Sequence, residues 1–67
     1  MPKINLVAVR ANAGKTQDEW AELLEVTKQT VGNWESGKTC PTLAQVRKMS
    51  ELSGIPLDFI FVPEKSN

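Results

Sequence analysis

The segment that most constrains the fold is TQDEWAELLEVTKQTVGNWESG, residues 16–37. Thr16 and Glu19 have the spacing of a capping box, which predicts that a helix begins there. Thr27 is a suitable cap for a second helix only a few residues later. Gly37 predicts where this second helix ends, because glycine adopts the left-handed conformation most easily. The segment therefore predicts two short helices joined by a tight turn.

The second of these helices has two unlike faces. Successive residues turn by about 100° on an α-helix, so Val31 and Trp34 fall together on an apolar side. The opposite side carries only polar residues and a glycine, namely Lys28, Gln29, Gly32 and Asn33. A cation and two amides are groups that hydrogen-bond base edges in the major groove of DNA.

The length of 67 residues favours one domain over residues 1–67, and 40% hydrophobic residues suffice for a small core. No apolar run approaches the roughly 18 residues that span a bilayer. The first ten residues lack the uninterrupted apolar stretch and cleavage site of a signal peptide. We expect a cytoplasmic protein with no membrane partner.

Composition argues against catalysis. The chain has one cysteine, no histidine and no tyrosine, which removes the commonest general base and most zinc sites. A nucleophile elbow and a glycine-rich phosphate loop are also missing. We expect no enzymatic activity, no cofactor or metal, and no small-molecule ligand. Cys40 alone forms no intramolecular disulfide, and whether it has a redox role is left open.

Charge leaves two functions open. Eight basic residues balance eight acidic ones, whereas nonspecific DNA affinity comes mainly from neutralising phosphates. A polarised neutral protein still presents a basic face, and the acidic residues cluster on the helix from Thr16 while Lys28 and Lys38 flank the next. The alternative to DNA binding is a protein-interaction module, such as an antitoxin-like or antirepressor-like partner.

Helical spacing predicts an all-α fold of five helices. The first runs over residues 5–13 and stops at Gly14. The fourth follows the capping box of Thr42 and Gln45, runs to about Ser53 and stops at Gly54. A short fifth helix covers 57–61, and the polar tail 62–67 is expected to fray. The residues expected in the core are Leu6, Val9, Trp20, Ala21, Leu24, Val26, Val31, Trp34, Leu43, Val46, Met49, Ser50, Leu52, Leu57, Ile60 and Phe61.

From residue 6 to residue 61 the sequence resembles the helix-turn-helix family of phage repressors and Cro proteins, the lambda-repressor-like domain. The residues that carry the resemblance are Thr16, Gln17, Ala21, Val26, Thr27, Val31, the WESGKTCP stretch at 34–41 and the IPLDFIF stretch at 55–61. The resemblance implies a compact five-helix bundle whose second and third helices, about 16–37, bind double-stranded DNA. It also implies a homodimer on a pseudo-palindromic operator, with half-sites about 34 Å apart.

The resemblance and the helical wheel agree on the third helix as the recognition helix. Base contacts are implied for Lys28, Gln29 and Asn33, since amides pair with adenine and lysine donates to guanine. The alternative is an ordinary solvated helix face. Phosphate contacts are implied for Gln17, Thr27, Ser36, Lys38 and Thr39. Thr27 is expected to serve first as a cap, and Gln17 has simple first-turn polarity as its alternative.

A structural ion pair between Arg10 and Glu35 is also implied by the resemblance, the alternative being two independent surface charges. The sequence departs from the family pattern at three positions. Lys15 stands where an apolar residue is usual, and Glu25 where the turn often has glycine. Gly32 lies inside the recognition helix at a cost of about 1 kcal/mol relative to alanine. It either permits close approach to a DNA backbone or thymine methyl, or is neutral.

Phe59 and Val62 are the candidate dimer interface, since Leu57, Ile60 and Phe61 are already assigned inward. The function predicted from the sequence is a sequence-specific DNA-binding transcriptional regulator. Repression by occlusion of the operator is the simplest mechanism, and activation through the acidic second helix is the other.

Overall fold

The computed structural model describes residues 3–62. Within this range the chain forms four α-helices and one 3₁₀ turn. The helices are α1 (Leu6–Asn12), α2 (Gln17–Leu24), α3 (Lys28–Ser36) and α4 (Leu43–Ser53), and the 3₁₀ turn spans Leu57–Phe59. The all-α prediction is confirmed. Residues 63–67 of the predicted polar tail lie outside the described range.

The predicted helix starts are confirmed by their hydrogen bonds. At α2 the Glu19 amide donates to Thr16 Oγ1 at 3.1 Å, and the Thr16 amide donates to Glu19 Oε1 at 3.0 Å. At α4 the same reciprocal pair joins Thr42 and Gln45. Each capping box satisfies two backbone donors that the first turn of a helix leaves unpaired, so these starts follow from local sequence.

Three of the described helices end at a residue with positive φ, and one of these residues is in a strained backbone conformation. Gly37 and Gly54 end α3 and α4 with φ of 84° and 76°. Glu25 ends α2 with φ of 61°, and within residues 3–62 it is the one non-glycine residue with positive φ. A side chain in this conformation costs about 1 kcal/mol. The turn between α2 and α3 is therefore formed against a local penalty.

The core is made where the helices meet. Trp20 of α2 and Met49 of α4 are each 1% exposed. The buried hydrophobic residues are Leu6, Val9, Trp20, Ala21, Leu24, Val31, Trp34, Val46, Met49, Ile55 and Ile60. Leu52, Leu57 and Val26 are half-buried against this cluster, and Ser50 is half-buried and donates to the Ile55 carbonyl at 2.7 Å. The prediction of burial was wrong for Leu43, which is 61% exposed, and for Phe61, which is 48% exposed.

The predicted fifth helix is also wrong, because the chain beyond Phe59 is extended. The Ile4 amide donates to the Phe59 carbonyl at 2.7 Å, and the Phe61 amide donates to the Ile4 carbonyl at 2.8 Å. This isolated parallel bridge buries Ile60 and turns Phe61 outward, because successive side chains of an extended segment point to opposite sides. A helix of one turn is weak, and pairing with the chain start replaces it.

Among residues 3–62 no helix combines the length and the apolar character needed to cross a membrane.

Candidate nucleic-acid interface

The apolar face of α3 fixes the direction of its polar face. Val31 and Trp34 are 0% and 4% exposed, so the helix cannot rotate about its axis without exposing them. On the other side Lys28 and Gln29 are exposed and Asn33 is half-buried. The three residues predicted to read bases therefore lie together on the surface, although their contacts with DNA stay predictions.

Thr27 begins α3 as a cap. Its Oγ1 accepts from the Thr30 amide at 3.1 Å and lies 2.9 Å from Thr30 Oγ1. Both contacts are within the protein, so the side chain first holds the start of the helix. A phosphate contact from Thr27 stays secondary to that role.

Arg10 and Glu35 form an ion pair that joins α1 to the end of α3. Arg10 Nε lies 2.6 Å from Glu35 Oε2, and the side chains are 18% and 8% exposed. A second guanidinium nitrogen donates to Glu35 Oε1 at 3.3 Å, and the third donates to the Lys15 carbonyl at 2.9 Å. The guanidinium therefore links α1, the loop before α2 and α3.

Gln17 is the third member of this network. Its Nε2 donates to Glu35 Oε1 at 2.9 Å. A carboxylate only accepts hydrogen bonds, so this contact fixes which end of the amide faces Glu35. The sequence pattern indicates a phosphate contact or simple first-turn polarity for Gln17 and gives no sign of this hydrogen bond, because the partner lies 18 residues away. One Nε2 proton remains for a phosphate.

The loop after α3 is tied to a single carbonyl group. The amides of Lys38 and Thr39 donate to the Asn33 carbonyl at 2.9 and 3.3 Å. Ser36 Oγ donates to the same oxygen at 3.2 Å. Any phosphate contact from Lys38 or Thr39 therefore uses the side chain, and the Lys38 side chain is exposed.

The charges around this surface are mixed. Lys28 Nζ lies 3.8 Å from Asp18 Oδ2, and both side chains are largely exposed, so the pair contributes little to stability. Hydrogen bonds from the backbone and then the side chain of Thr16 lower the pKa of Glu19, with Lys15 adding to the effect. Within the described residues no three acidic, cysteine or histidine side chains cluster as a metal site.

The two candidate dimer residues differ in exposure. Phe59 is 36% exposed, whereas Val62 is half-buried against the core. Val62, unlike Phe59, lines an open and largely apolar groove of about 350 Å³. The groove is lined by Lys3, Pro41, Leu43, Val46, Leu57, Ile60 and Val62.

A capped helix, a tight turn and a second helix with one buried and one polar face define a helix-turn-helix protein. A sequence model described as helix-turn-helix matches residues 6–60, and the chain belongs to this family, which is of the Cro and C1 type.

The chain is also similar to a curated protein of Bacillus subtilis (strain 168), the SPbeta prophage-derived uncharacterized HTH-type transcriptional regulator YonR. The two are 35% identical over 51 residues, which is 76% of this chain and 47% of the relative. The chain thus spans about half the length of the curated relative that it matches. No solved structure matches the chain significantly.

Proposed function

We propose that this protein is a sequence-specific regulator of transcription that places α3 in the major groove of double-stranded DNA. The observation that carries the proposal is the polar face of α3, directed outward by the buried Val31 and Trp34. Family membership supports it, as does the relative's name as a transcriptional regulator. Control by occlusion of an operator needs no further activity, so repression is the mechanism that we propose.

Base reading is assigned to three side chains of α3. Gln29 and Asn33 each offer an amide donor and acceptor, which pair with adenine through two hydrogen bonds. Lys28 donates to the acceptors of guanine. Its weak, exposed contact with Asp18 at 3.8 Å is easily exchanged for a base.

Phosphate contacts are assigned to both sides of the recognition helix. Gln17 lies at the start of α2 with one amide proton remaining, and Lys38 lies beyond the end of α3. Thr39, Ser36 and Thr27 complete the proposed set. Contacts with phosphates position a protein on the duplex without reading sequence, so these residues set affinity and register.

We further propose that two copies bind one operator. A single recognition helix in a protein of zero net charge offers little affinity. One copy measures 28 Å along its longest dimension, a size compatible with two copies side by side on half-sites one DNA turn apart, about 34 Å. Phe59 and the edge of the apolar groove at Val62 are the proposed contact between the copies.

Selection of bound duplexes from a randomised library tests this function. We expect a two-fold symmetric consensus with the parent, and loss of sequence preference with the Gln29→Ala, Asn33→Ala variant. The matched control is Lys48→Ala, Glu51→Ala, which shortens two exposed side chains of α4 without changing net charge. Circular dichroism shows that each variant is folded.

Two results would contradict parts of the proposal. No enrichment at low salt from folded parent protein would favour a protein-interaction module. A Phe59→Ala variant that still binds DNA as a dimer with unchanged affinity would remove Phe59 from the dimer interface.

A further inference from the structure

Gly32 differs from the other glycines of the chain. Gly14, Gly37 and Gly54 all have positive φ, a conformation that favours glycine. Gly32 lies inside α3 with ordinary helical geometry. Its backbone conformation is one that any residue adopts, so it does not account for the glycine.

Packing within the protein does not account for Gly32 either. A Cβ added at this position would meet Gln17 Nε2 at 4.0 Å, with no nearer atom outside the helix. That distance is an ordinary van der Waals contact. Alanine would also strengthen the helix, because glycine is among the weakest helix formers. Whatever favours glycine therefore lies outside the isolated chain.

Gly32 lies halfway along α3 on its polar side, where it is half-buried beside Gln17 of α2. Its neighbours on the helix surface are Lys28, Gln29 and Ser36, three or four residues away, and Asn33 is the next residue along the chain. The missing side chain leaves a notch whose floor is the α3 backbone and one wall of which is the Gln17 amide.

We propose that Gly32 is a specificity-determining residue whose notch receives the C5-methyl group of a thymine. This inference rests on the proposed DNA-binding function. If Gln29 or Asn33 pairs with an adenine, the thymine opposite presents its methyl group in the same groove. A methyl group requires space rather than a hydrogen-bond partner, and the notch supplies space.

A phosphate fits the notch less well. The floor is helix backbone, whose amide protons are used within α3. The Gln17 amide on the wall gives one proton to Glu35 and has a single proton left to offer. A phosphate needs several donors, as helix N-termini and glycine-rich loops provide, and the notch does not present such a set.

The test measures affinity for two kinds of duplex. The first is a duplex selected by the parent protein. The second is a set of copies in which each thymine in turn is replaced by deoxyuridine, which lacks the methyl group. Parent, Gly32→Ala and Val7→Ala are compared. Val7 is an exposed residue of α1, so Val7→Ala also favours helix without changing charge. We expect Gly32→Ala to bind the thymine duplex about a hundredfold more weakly, about tenfold for the one unfavourable base contact in each of the two half-sites. Deoxyuridine at one position per half-site should restore most of that loss, while Val7→Ala binds like the parent.

Thermal unfolding of Gly32→Ala should occur no lower than in the parent, which separates lost binding from lost folding. Equal affinity of parent and Gly32→Ala would overturn the inference and leave the proposed function intact. A loss that no deoxyuridine restores would place the DNA backbone, not a methyl group, against Gly32 and overturn it as well. A folded parent that binds no duplex would overturn the proposed function itself.

Discussion

Arg10 Nε lies 2.6 Å from Glu35 Oε2, although the two residues are 25 positions apart. Both side chains are mostly buried, so each charge depends on the other for compensation. We expect Arg10→Met or Glu35→Gln alone to lower the free energy of unfolding by about 3 kcal/mol, because one buried charge loses its partner. The double variant should lose less than the sum, with a coupling of about 1–3 kcal/mol.

Urea unfolding of the four proteins of this cycle provides the measurement. Strictly additive losses would show that the contact does not stabilise the fold. The single variants should also bind DNA less tightly, since the pair holds the end of α3 against α1.

Lys38 is expected to contribute affinity without contributing sequence preference. Replacing it by alanine should weaken binding to all duplexes alike and reduce the slope of log affinity against log salt by about 0.9, the value for one phosphate. Binding titrations over a range of salt concentrations measure this slope. Lys48→Ala on α4 is the control for loss of one charge, and a changed consensus for Lys38→Ala would assign Lys38 to bases instead.

Glu25 holds a conformation that glycine adopts without penalty. Its φ of 61° predicts that Glu25→Gly raises the free energy of unfolding by about 1 kcal/mol. Glu25→Ala removes the same charge without relieving the strain, so comparison of the two isolates the backbone effect. Chemical denaturation measures the free energy of unfolding of both variants. Equal values would contradict the assignment of backbone strain to Glu25.

Glu19 should make stability depend on acidity. The hydrogen bonds of the capping box lower its pKa in the folded protein. Its contribution is therefore present above the unfolded pKa of about 4.3 and is lost as the pH falls through the lower, folded pKa. Glu19→Gln keeps an acceptor for the Thr16 amide but cannot ionise, so its stability should change less over this acidic range.

Denaturation curves from pH 6 down to pH 3 would show the effect. Glu22→Gln is the matched control, since it removes a carboxylate from the same helix outside the capping box. Identical pH profiles for the parent and Glu19→Gln would contradict the prediction.

Features set by near neighbours in the sequence were the ones that could be predicted. The cap at Thr16, the cap at Thr42 and the glycine at the end of α3 each act within a few residues. The buried Val31 and Trp34 followed from helical periodicity. These features placed α3 and its polar face, which form most of the candidate site.

Features that depend on distant pairings could not be predicted from the same rules. Phe61 points outward because its backbone pairs with Ile4 at the other end of the chain. Gln17 reaches Glu35 across the interface between α2 and α3. Local patterns carry no information about which distant groups meet, and the exposed Leu43 shows that a helical position near a start need not face the core.

The hydrogen bonds to the carbonyl oxygen of Asn33 limit how the DNA sites of this protein can vary in length. It accepts from the amides of Lys38 and Thr39, while the side chain of the same residue belongs to the polar face of α3. The proposed base contact of Asn33 and the proposed phosphate contacts of Lys38 and Thr39 therefore belong to one rigid segment. The spacing between these contacts is fixed. Operators for this protein should tolerate changes of base more readily than inserted or deleted base pairs within a half-site.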